Sequence, residues 1–364
     1  MKNKFISSIW DFSQLDLSQT NYITHDFLRW YGKLVPQLVS RLLKIYSEEG
    51  DTVLANFAGS GTVLVEANLL KRDVIGIDSS PLSNLLCKVK TTPIIPETAT
   101  MIQKLEEKFK VIHKNDFPMD AVDKKWFWEE SFQELNLIKE TIEEVKNENQ
   151  RDFFLLALAS IVRKASLIDS RCVNHIVVDK NKPKIDVLEE FRTQISEMEQ
   201  SMEAYLKLRT DSSIIIEKGD ARDLSSIKEE SIDFIISHPP YLGYINYSNI
   251  YKLSNKILGY EYKDVKKGDI STGSLNKYME AMKKCFDEMR RVIKPDKYVS
   301  VIIGDNRVDG EIVPTFSYFI DYAKTLGFKL VDIFIWILSR KAGMGVKRRG
   351  NHIDHNYILI FKKH

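Results

Sequence analysis

The sequence predicts an α/β protein with a doubly wound, mostly parallel sheet that a helical insertion interrupts. Short apolar runs alternate with helical patterns in residues 1–96, and the same alternation resumes at residue 213. Residues 97–212 instead carry long helical patterns with almost no strand signal. Strands that alternate with helices are typical of parallel sheets covered on both faces. We therefore assign 1–96 and 213–364 to one domain and 97–212 to the insertion.

The first part of this domain contains a predicted βαβ unit. A helix is expected at 34–48, where apolar side chains follow helical spacing. A short strand at 52–55 then leads through a Gly/Ser turn into a helix at about 62–71, and a second strand at 73–77 precedes another helix. Such a unit implies parallel strands whose carboxyl ends meet at one edge of the sheet.

The remaining elements follow from the same periodicities. In the insertion, helical patterns cover 101–112, 131–148, 152–165 and 186–207, with one strand signal near 173–178. After the insertion, strands are expected within 213–220, 231–237, 297–306, 328–338 and 355–363, with helices near 275–293 and 314–326.

Composition limits the class of protein. The chain has 364 residues, of which 43% are hydrophobic, so it can bury a substantial core and is not a disordered chain. Its 53 Lys and Arg residues against 51 Asp and Glu residues give a net charge of +2. Any polyanionic partner must therefore be bound by a local basic patch.

The cysteines and the hydropathy pattern indicate an intracellular protein. Cys87, Cys172 and Cys285 lie far apart and form no CxxC motif, which argues against a zinc site and a disulfide framework. We expect no metal and a reducing cytoplasm. The N-terminus has no signal-peptide pattern, and no apolar run reaches the roughly 18 residues of a membrane helix, so we expect neither export nor membrane insertion.

The glycine turn, residues 57–62 with the sequence FAGSGT, connects the first predicted strand of the βαβ unit to its helix. Glycines at such a junction let the backbone approach a ligand at the carboxyl edge of the sheet. A tight βα turn without a ligand would need glycine as well. The turn does not match GxGxxG, and the chain has no GxxxxGK[ST], which disfavours NAD and ATP.

Two acidic residues end later strands of the same predicted sheet. Asp78 ends the strand VIGID, and Asp220 follows SIIIEKG. Acids at these positions accept hydrogen bonds from ribose hydroxyls in many nucleotide sites. Each could instead cap a helix or lie in a solvated turn. Together with the glycine turn they form a constellation at one edge of the sheet.

The stretch ISHPPYLGYINY, residues 236–247, places two prolines and three tyrosines at the end of an apolar strand. We call residues 238–241 the proline corner. Proline fixes φ near about −65° and has no backbone N–H, so the corner presents carbonyl groups without competing donors. A strand that merely ends in Pro-Pro, with tyrosines packed beneath a loop, is the alternative.

The glycine turn and the proline corner together resemble the motifs of S-adenosylmethionine-dependent amino-group DNA methyltransferases, which make N4-methylcytosine or N6-methyladenine. The resemblance runs through most of 20–96 and 213–363 and implies a Rossmann-like fold. It implies cofactor binding by Phe57, Gly59, Ser60, Gly61, Thr62, Asp78 and Asp220. It also implies that the extracted base is held by His238, Pro239, Pro240 and Tyr241, through the His238 side chain, the Pro239 carbonyl and stacking on Tyr241.

The resemblance also implies which partners the protein has and which parts of the chain catalyse the reaction and recognise the target. DNA is the expected substrate, and a cognate restriction endonuclease is an expected partner. The catalytic domain would be 1–96 with 213–364, and target recognition would come from the insertion or from the C-terminal loop 340–355. An RNA amino-group methyltransferase and a non-catalytic nucleic-acid-binding protein with a cofactor fold stay open as alternatives.

Two departures from the family pattern affect the expected chemistry. His238 stands where Asp, Asn or Ser is usual, and Ala55-Asn56 stands where Asp-Pro is usual. A protonated imidazole has no acceptor nitrogen, so we expect activity to fall as His238 gains a proton near its ordinary pKa of about 6.5. An uncharged group at this position favours cytosine N4 over adenine N6. A C5 methyltransferase would carry a Pro-Cys dipeptide, and this chain has none.

Basic residues provide candidate DNA contacts. The C-terminal loop carries five cations suited to phosphate binding: Arg340, Lys341, Lys347, Arg348 and Arg349. A solvated hairpin is the alternative for this loop. In the insertion the further candidates are Arg163, Lys164 and Arg171, followed by Asn174 and His175.

Overall fold

A computed structural model of the chain describes residues 7–112, 116–169, 176–308, 311–338 and 354–364. It contains an eight-stranded sheet and a two-stranded ribbon. The strands of the sheet are β1 (Ser8–Asp11), β2 (Thr52–Ala55), β3 (Asp73–Asp78), β4 (Ile214–Lys218), β5 (Ile232–Ser237), β6 (Ile293–Ile303), β9 (Phe328–Ile337) and β10 (His355–Lys363), and the ribbon is β7 (Asn306–Val308) with β8 (Glu311–Val313).

The helices lie between these strands and in the insertion. Those outside the insertion are α1 (Leu17–Thr20), a 3-10 helix (Ile23–Asp26), α2 (Pro36–Tyr46), α3 (Thr62–Leu69), α4 (Pro81–Thr91), α10 (Tyr247–Ile250), α11 (Lys252–Ile257), α12 (Tyr262–Lys267), α13 (Leu275–Val292) and α14 (Thr315–Thr325). Those in the insertion are α5 (Thr98–Phe109), α6 (Ala121–Trp126), α7 (Glu129–Glu143), α8 (Glu148–Val162) and α9 (Val187–Leu208). None of the helices in the described ranges is long and apolar enough to cross a lipid bilayer.

The sheet is doubly wound, as the sequence predicts. Its strand order is β1-β9-β10-β6-β5-β2-β3-β4, and only β10 runs antiparallel to its two neighbours. The chain moves outward from β2 to β3 and β4, and then returns to place β5 on the other side of β2. The order therefore reverses between β2 and β5, and such a switch point is where open α/β sheets bind ligands.

Helices cover both faces of this sheet, which explains the apolar strands. All six residues of β5 are buried. On one face, α13 and α14 pack against Leu54 and Ile235. On the other face, α2 and α3 pack against Val53 and Phe234. Successive side chains of a strand point to opposite faces, so a strand covered on both faces is apolar throughout.

The insertion is not a separate lobe, because its helices share a hydrophobic core with segments of the first domain, among them those that contain Phe27 and Leu253. The ring of Phe153 in α8 meets Phe27 edge to face at 6.2 Å. The Ser254 hydroxyl in α11 donates to the Ala159 carbonyl at 3.1 Å. The insertion therefore packs against segments on either side of the glycine turn and the proline corner, while its expected role in target recognition stays a prediction.

The elements missed by the sequence are short or at an edge. β1 and the helices α10 to α12 have only four to six residues each, too few for a clear periodicity. The strand expected near 173–178 lies partly outside the described residues. Its described part forms only an isolated bridge between Val178 and Ile168.

Candidate active site

A cleft opens at the carboxyl ends of β2, β3, β4 and β5, on both sides of the switch point. The space within it is about 980 Å³ when the part open to solvent is included. Most of the predicted site residues border it: Phe57, Gly59, Ser60, Thr62, Asp78, Asp220, His238 and Pro240. Within the described motifs, Gly61, Pro239 and Tyr241 lie outside this lining. The fold thus brings the glycine turn and the proline corner to one cavity.

The glycine turn needs its two glycines for different reasons. Both have positive φ, 51° at Gly59 and 73° at Gly61, a region that other residues enter at a cost. A Cβ on Gly59 would lie 3.3 Å from the Trp30 indole nitrogen, at the cleft. A Cβ on Gly61 would lie 3.1 Å from the Cys87 sulfur. Gly59 therefore leaves room at the cleft, whereas Gly61 lets α3 approach α4.

Asp78 anchors the glycine turn. One carboxylate oxygen accepts a hydrogen bond from the Gly59 N–H at 2.8 Å, and the other accepts from the Ser80 N–H at 2.9 Å. Burial raises the pKa of Asp78, and these hydrogen bonds act against that rise. Each carboxylate oxygen keeps a second lone pair. Asp78 can therefore hold the turn and still accept hydrogen bonds from hydroxyls of a ligand.

Asp220 lies across the same edge, after β4. The Arg222 side chain pairs with both of its carboxylate oxygens, with Nε at 2.9 Å and 3.1 Å. Burial alone would raise the pKa of Asp220, but the hydrogen bonds from Arg222 outweigh burial and lower it. Asp220 is therefore ionised at neutral pH.

A third carboxylate, Asp269, borders the cleft and was missed by the sequence analysis. It lies in the covering segment, residues 265–271, which folds over the end of β3. A Cβ on Gly268 would be only 2.2 Å from the Ser79 Cβ, so this close approach requires glycine. The Asp269 carboxylate accepts from the Ser248 N–H at 3.2 Å and from the Ser271 N–H at 2.8 Å.

Three carboxylates border the cleft, and the charge of one of them, Asp220, is balanced by Arg222. Asp78, Asp220 and Asp269 all border it, and Asp269 contributes to the raised pKa of Asp78 through charge repulsion. In the part of the chain that the structure describes, no three or more His, Cys, Asp or Glu side chains lie close enough together to hold one metal ion. A ligand that carries positive charge would fit this lining, as a sulfonium group does.

Aromatic residues from two distant segments also border the cleft, and both segments, 25–36 and 236–247, stand out in the sequence. Trp30 and Tyr247 border the cleft and stack with their ring centres 6.2 Å apart. Tyr251 stacks on Trp30 at 4.5 Å. A Cβ on Gly32 would lie 2.6 Å from the Tyr247 hydroxyl oxygen. Segments more than 200 residues apart in sequence therefore meet at the cleft.

The proline corner is held from two sides. The Tyr278 hydroxyl of α13 donates to the Pro240 carbonyl at 2.8 Å. The His238 Nε2 atom lies 3.1 Å from the Tyr241 hydroxyl oxygen, and the two rings meet edge to face at 5.5 Å. Burial raises the pKa of Tyr241 well above its ordinary value, so this phenol keeps its proton. The corner thus presents His238 and Pro240 to the cleft with fixed orientations.

The structure corrects the expected pH dependence. Burial lowers the pKa of His238 to about 4, because an apolar environment disfavours the charged imidazolium. The expectation of a loss near pH 6.5 is therefore wrong. The imidazole stays neutral at neutral pH and gains its proton only near pH 4.

A ratio of rate profiles tests this correction. We expect the ratio of wild-type to His238→Ser methyl-transfer rates to be level from about pH 8 to about pH 5.5, since His238 titrates only near pH 4. Serine offers an acceptor that does not titrate, so the ratio cancels other ionisations, including that of Lys90, whose pKa burial lowers to about 7. A ratio that fell with a midpoint near pH 6.5 would contradict the correction.

The candidate DNA contacts fall into two groups. Arg340, Lys341, Lys347, Arg348, Arg349, Arg171, Asn174 and His175 lie outside the described residues. Lys164 pairs with Glu190. Arg163 reaches the Asp169 carbonyl at 3.4 Å and lies over the Tyr31 ring. The two described cations are therefore engaged within the protein.

Comparison with protein families gives a match that agrees with this geometry. The family described as DNA methylase (N6_N4_Mtase) matches residues 1–82 and 232–364, together more than half of the chain. The glycine turn and the proline corner lie in the matched ranges, and the insertion lies between them.

Individual curated relatives share less than 30% sequence identity with this chain over the aligned residues. Type II methyltransferase M.MvaI from Kocuria varians is 28% identical over 247 residues, which cover 62% of this chain and 54% of that protein. Type II methyltransferase M.MjaII from Methanocaldococcus jannaschii is 22% identical, over 82% of this chain and 75% of that protein. This chain thus spans about half the length of M.MvaI. Among solved structures, a SAM-dependent methyltransferase from Methanosarcina mazei has a TM-score of 0.38 and 11% identity, over 88% of this chain and 96% of that one.

Proposed function

Because the chain belongs to the DNA methylase family, whose cofactor is S-adenosylmethionine, we propose that it transfers the methyl group of that cofactor to the N4 amino group of cytosine in DNA. The observation that carries the proposal is the meeting of two motifs in one cleft. The glycine turn follows β2 and the proline corner follows β5, and these strands are neighbours at the switch point. A methyl donor on the first motif can therefore face an acceptor on the second.

The cleft supports S-adenosylmethionine as the ligand. When bound, that cofactor supplies an electrophilic methyl group on a positively charged sulfur. Asp78 and Asp269 provide carboxylates that suit this charge, whereas the charge of Asp220 is balanced by Arg222. Asp78 has acceptor capacity for ribose hydroxyls, as argued above. Trp30 and Tyr247 add aromatic surface to the cleft lining.

The proline corner supports an uncharged amino-group acceptor. The exocyclic nitrogen of a base is a weak nucleophile, because its lone pair is delocalised into the ring. Acceptors against its N–H bonds favour the tetrahedral nitrogen that attacks the methyl group. We assign these acceptors to the His238 imidazole, which borders the cleft, and, following the resemblance, to the carbonyl of Pro239, which lies outside the cleft lining. Burial keeps His238 neutral at neutral pH, which supports the choice of cytosine N4.

The Tyr241 hydroxyl gives His238 its useful tautomer in this proposal. If Nε2–H donates to the phenol oxygen 3.1 Å away, the Nδ1 atom is left as an acceptor. Tyr241→Phe keeps the ring and removes this partner, so we expect kcat to fall about tenfold with an unchanged KM for DNA. Tyr318→Phe, on the exposed side of α14, is the control. An unchanged kcat in Tyr241→Phe would remove the phenol from this role.

Identification of the methylated nucleoside tests the proposal directly. Unmodified DNA is incubated with the protein and isotope-labelled S-adenosylmethionine, digested to nucleosides, and analysed by mass spectrometry. Labelled N4-methylcytosine is the expected product. N6-methyladenine would show the other amino-group target, transfer to structured RNA alone would show an RNA enzyme, and DNA binding without transfer would show a non-catalytic protein. A restriction endonuclease that cleaves only the unmethylated sites is the expected partner.

A further inference from the structure

Asn56 is a buried polar residue whose side chain has no hydrogen-bond partner among the described residues. Its side chain is only 1% exposed, and it borders the cleft. Both of its polar atoms, Nδ2 and Oδ1, lack a hydrogen-bond partner among the described residues. Buried amide groups are almost always hydrogen-bonded, because leaving one without a partner is costly. An unpartnered carboxamide at the wall of a cleft therefore indicates a ligand group.

The position of Asn56 limits which ligand group this can be. It directly follows β2, between Ala55 and the glycine turn. Leu54 pairs with Ile235 of β5, so continuing the register places Asn56 level with Ser237, next to the proline corner. Asn56 therefore borders the cleft between the glycine turn and the proline corner.

The strand order maps the parts of the cofactor onto the edge of the sheet. Across this edge, Asp220 follows β4, Asp78 ends β3, Asn56 follows β2, and the proline corner follows β5. With the ribose at Asp78 and the methyl group facing the corner, the remaining part of S-adenosylmethionine, its amino-acid end, lies at β2. That end carries both an ammonium and a carboxylate group. A carboxamide can accept from the first and donate to the second.

We propose that the Asn56 carboxamide binds the amino-acid end of S-adenosylmethionine, with Oδ1 accepting from the ammonium group and Nδ2 donating to the carboxylate. This inference rests on the proposed function. It also explains one departure from the family pattern, since Asn56 supplies a polar group beside Ala55, where an acid is usual.

Two ligands that differ only at that end test the assignment. S-Adenosylhomocysteine keeps the amino-acid end, and 5′-methylthioadenosine lacks it. For Asn56→Ala we expect calorimetry to give an affinity for S-adenosylhomocysteine that is about ten to a hundred times weaker than that of the wild type. The affinity for 5′-methylthioadenosine is expected to change less than about threefold.

The stability of the ligand-free protein provides a second readout. Removing an unpartnered buried amide should leave the melting temperature of Asn56→Ala unchanged or raise it. Ser300→Ala is the matched control, because the Ser300 hydroxyl is also buried and unpartnered but lies outside the cleft lining. It should bind both ligands as the wild type does. Asn56→Ser, which keeps one polar group, should bind S-adenosylhomocysteine with intermediate affinity.

Three results would overturn the assignment. An equal loss for both ligands would place Asn56 against the adenosine part. Unchanged affinity for both would mean that water satisfies the carboxamide, and a lower melting temperature with unchanged affinities would make Asn56 structural. If the wild type bound neither ligand, the proposed function would fail together with this inference. If the wild type bound S-adenosylhomocysteine normally but Asn56→Ala showed no selective loss of affinity for it, only the inference would fail.

Discussion

Replacing His238 by leucine is expected to lower the single-turnover rate of methyl transfer by about 10²–10³, the usual effect of removing one polar group that acts on the transition state. Leucine fills a similar space but offers no acceptor to the amino group. The fold should survive, because His238 is held neutral by burial and leucine places no polar group there. The rate is measured with saturating protein and labelled S-adenosylmethionine.

Binding measurements separate this effect from loss of the cofactor. The affinity of His238→Leu for S-adenosylhomocysteine should stay within about threefold of the wild type, since His238 is assigned to the base. His238→Ser, which restores an uncharged acceptor, should recover part of the lost rate. A leucine variant with the wild-type rate would exclude His238 as an acceptor for the amino group.

The second large effect is expected for Asp78→Asn. Each Asp78 oxygen accepts one backbone N–H, from Gly59 and from Ser80. An amide has only one oxygen, so in either orientation its NH₂ group faces one of these donors. We expect a loss of about 1–3 kcal/mol in the free energy of unfolding, the cost of an unsatisfied buried donor. Because the glycine turn loses an anchor, affinity for S-adenosylhomocysteine should fall at least about tenfold.

The opposite end of the same strand supplies a control. Asp73 at the start of β3 accepts the Ser213 N–H at 2.7 Å, in an exposed position. Asp73→Asn should therefore change the free energy of unfolding by less than about 0.5 kcal/mol, as surface substitutions usually do. It should leave cofactor affinity unchanged. Equal effects of the two substitutions, in denaturant unfolding and in calorimetry, would show that Asp78 has no special role at the cleft.

The pattern of elements follows from local sequence, as β5 and α13 illustrate. The apolar run before the proline corner predicts a strand buried on both faces, and all six residues of β5 are buried. The helix near 275–293 is observed as Leu275–Val292. Periodicity is a local property, so it survives in the sequence without knowledge of the fold. Short elements such as α10 to α12 lack enough residues to show it.

The site is harder to predict from the sequence than the strands and helices, because the residues around the cleft come from distant segments. The glycine turn and the proline corner are visible as motifs, since their backbones need residues with special φ or without an N–H. Asp269, Trp30 and Tyr247 have no such requirement, and only packing brings them to the cleft. Gly268 is informative only once Ser79 is known to lie against it.

The sequence by itself determined the alternation of strands and helices, the two motifs, and with them the chemistry to expect at the sheet edge. Tertiary structure alone decided that β2 and β5 are neighbours, that Asn56 borders the cleft without a partner, and that His238 is neutral. The physical reason is that backbone preferences and hydrophobic periodicity act over a few residues. Adjacency, desolvation and hydrogen-bond satisfaction depend on segments that meet only when the chain has folded.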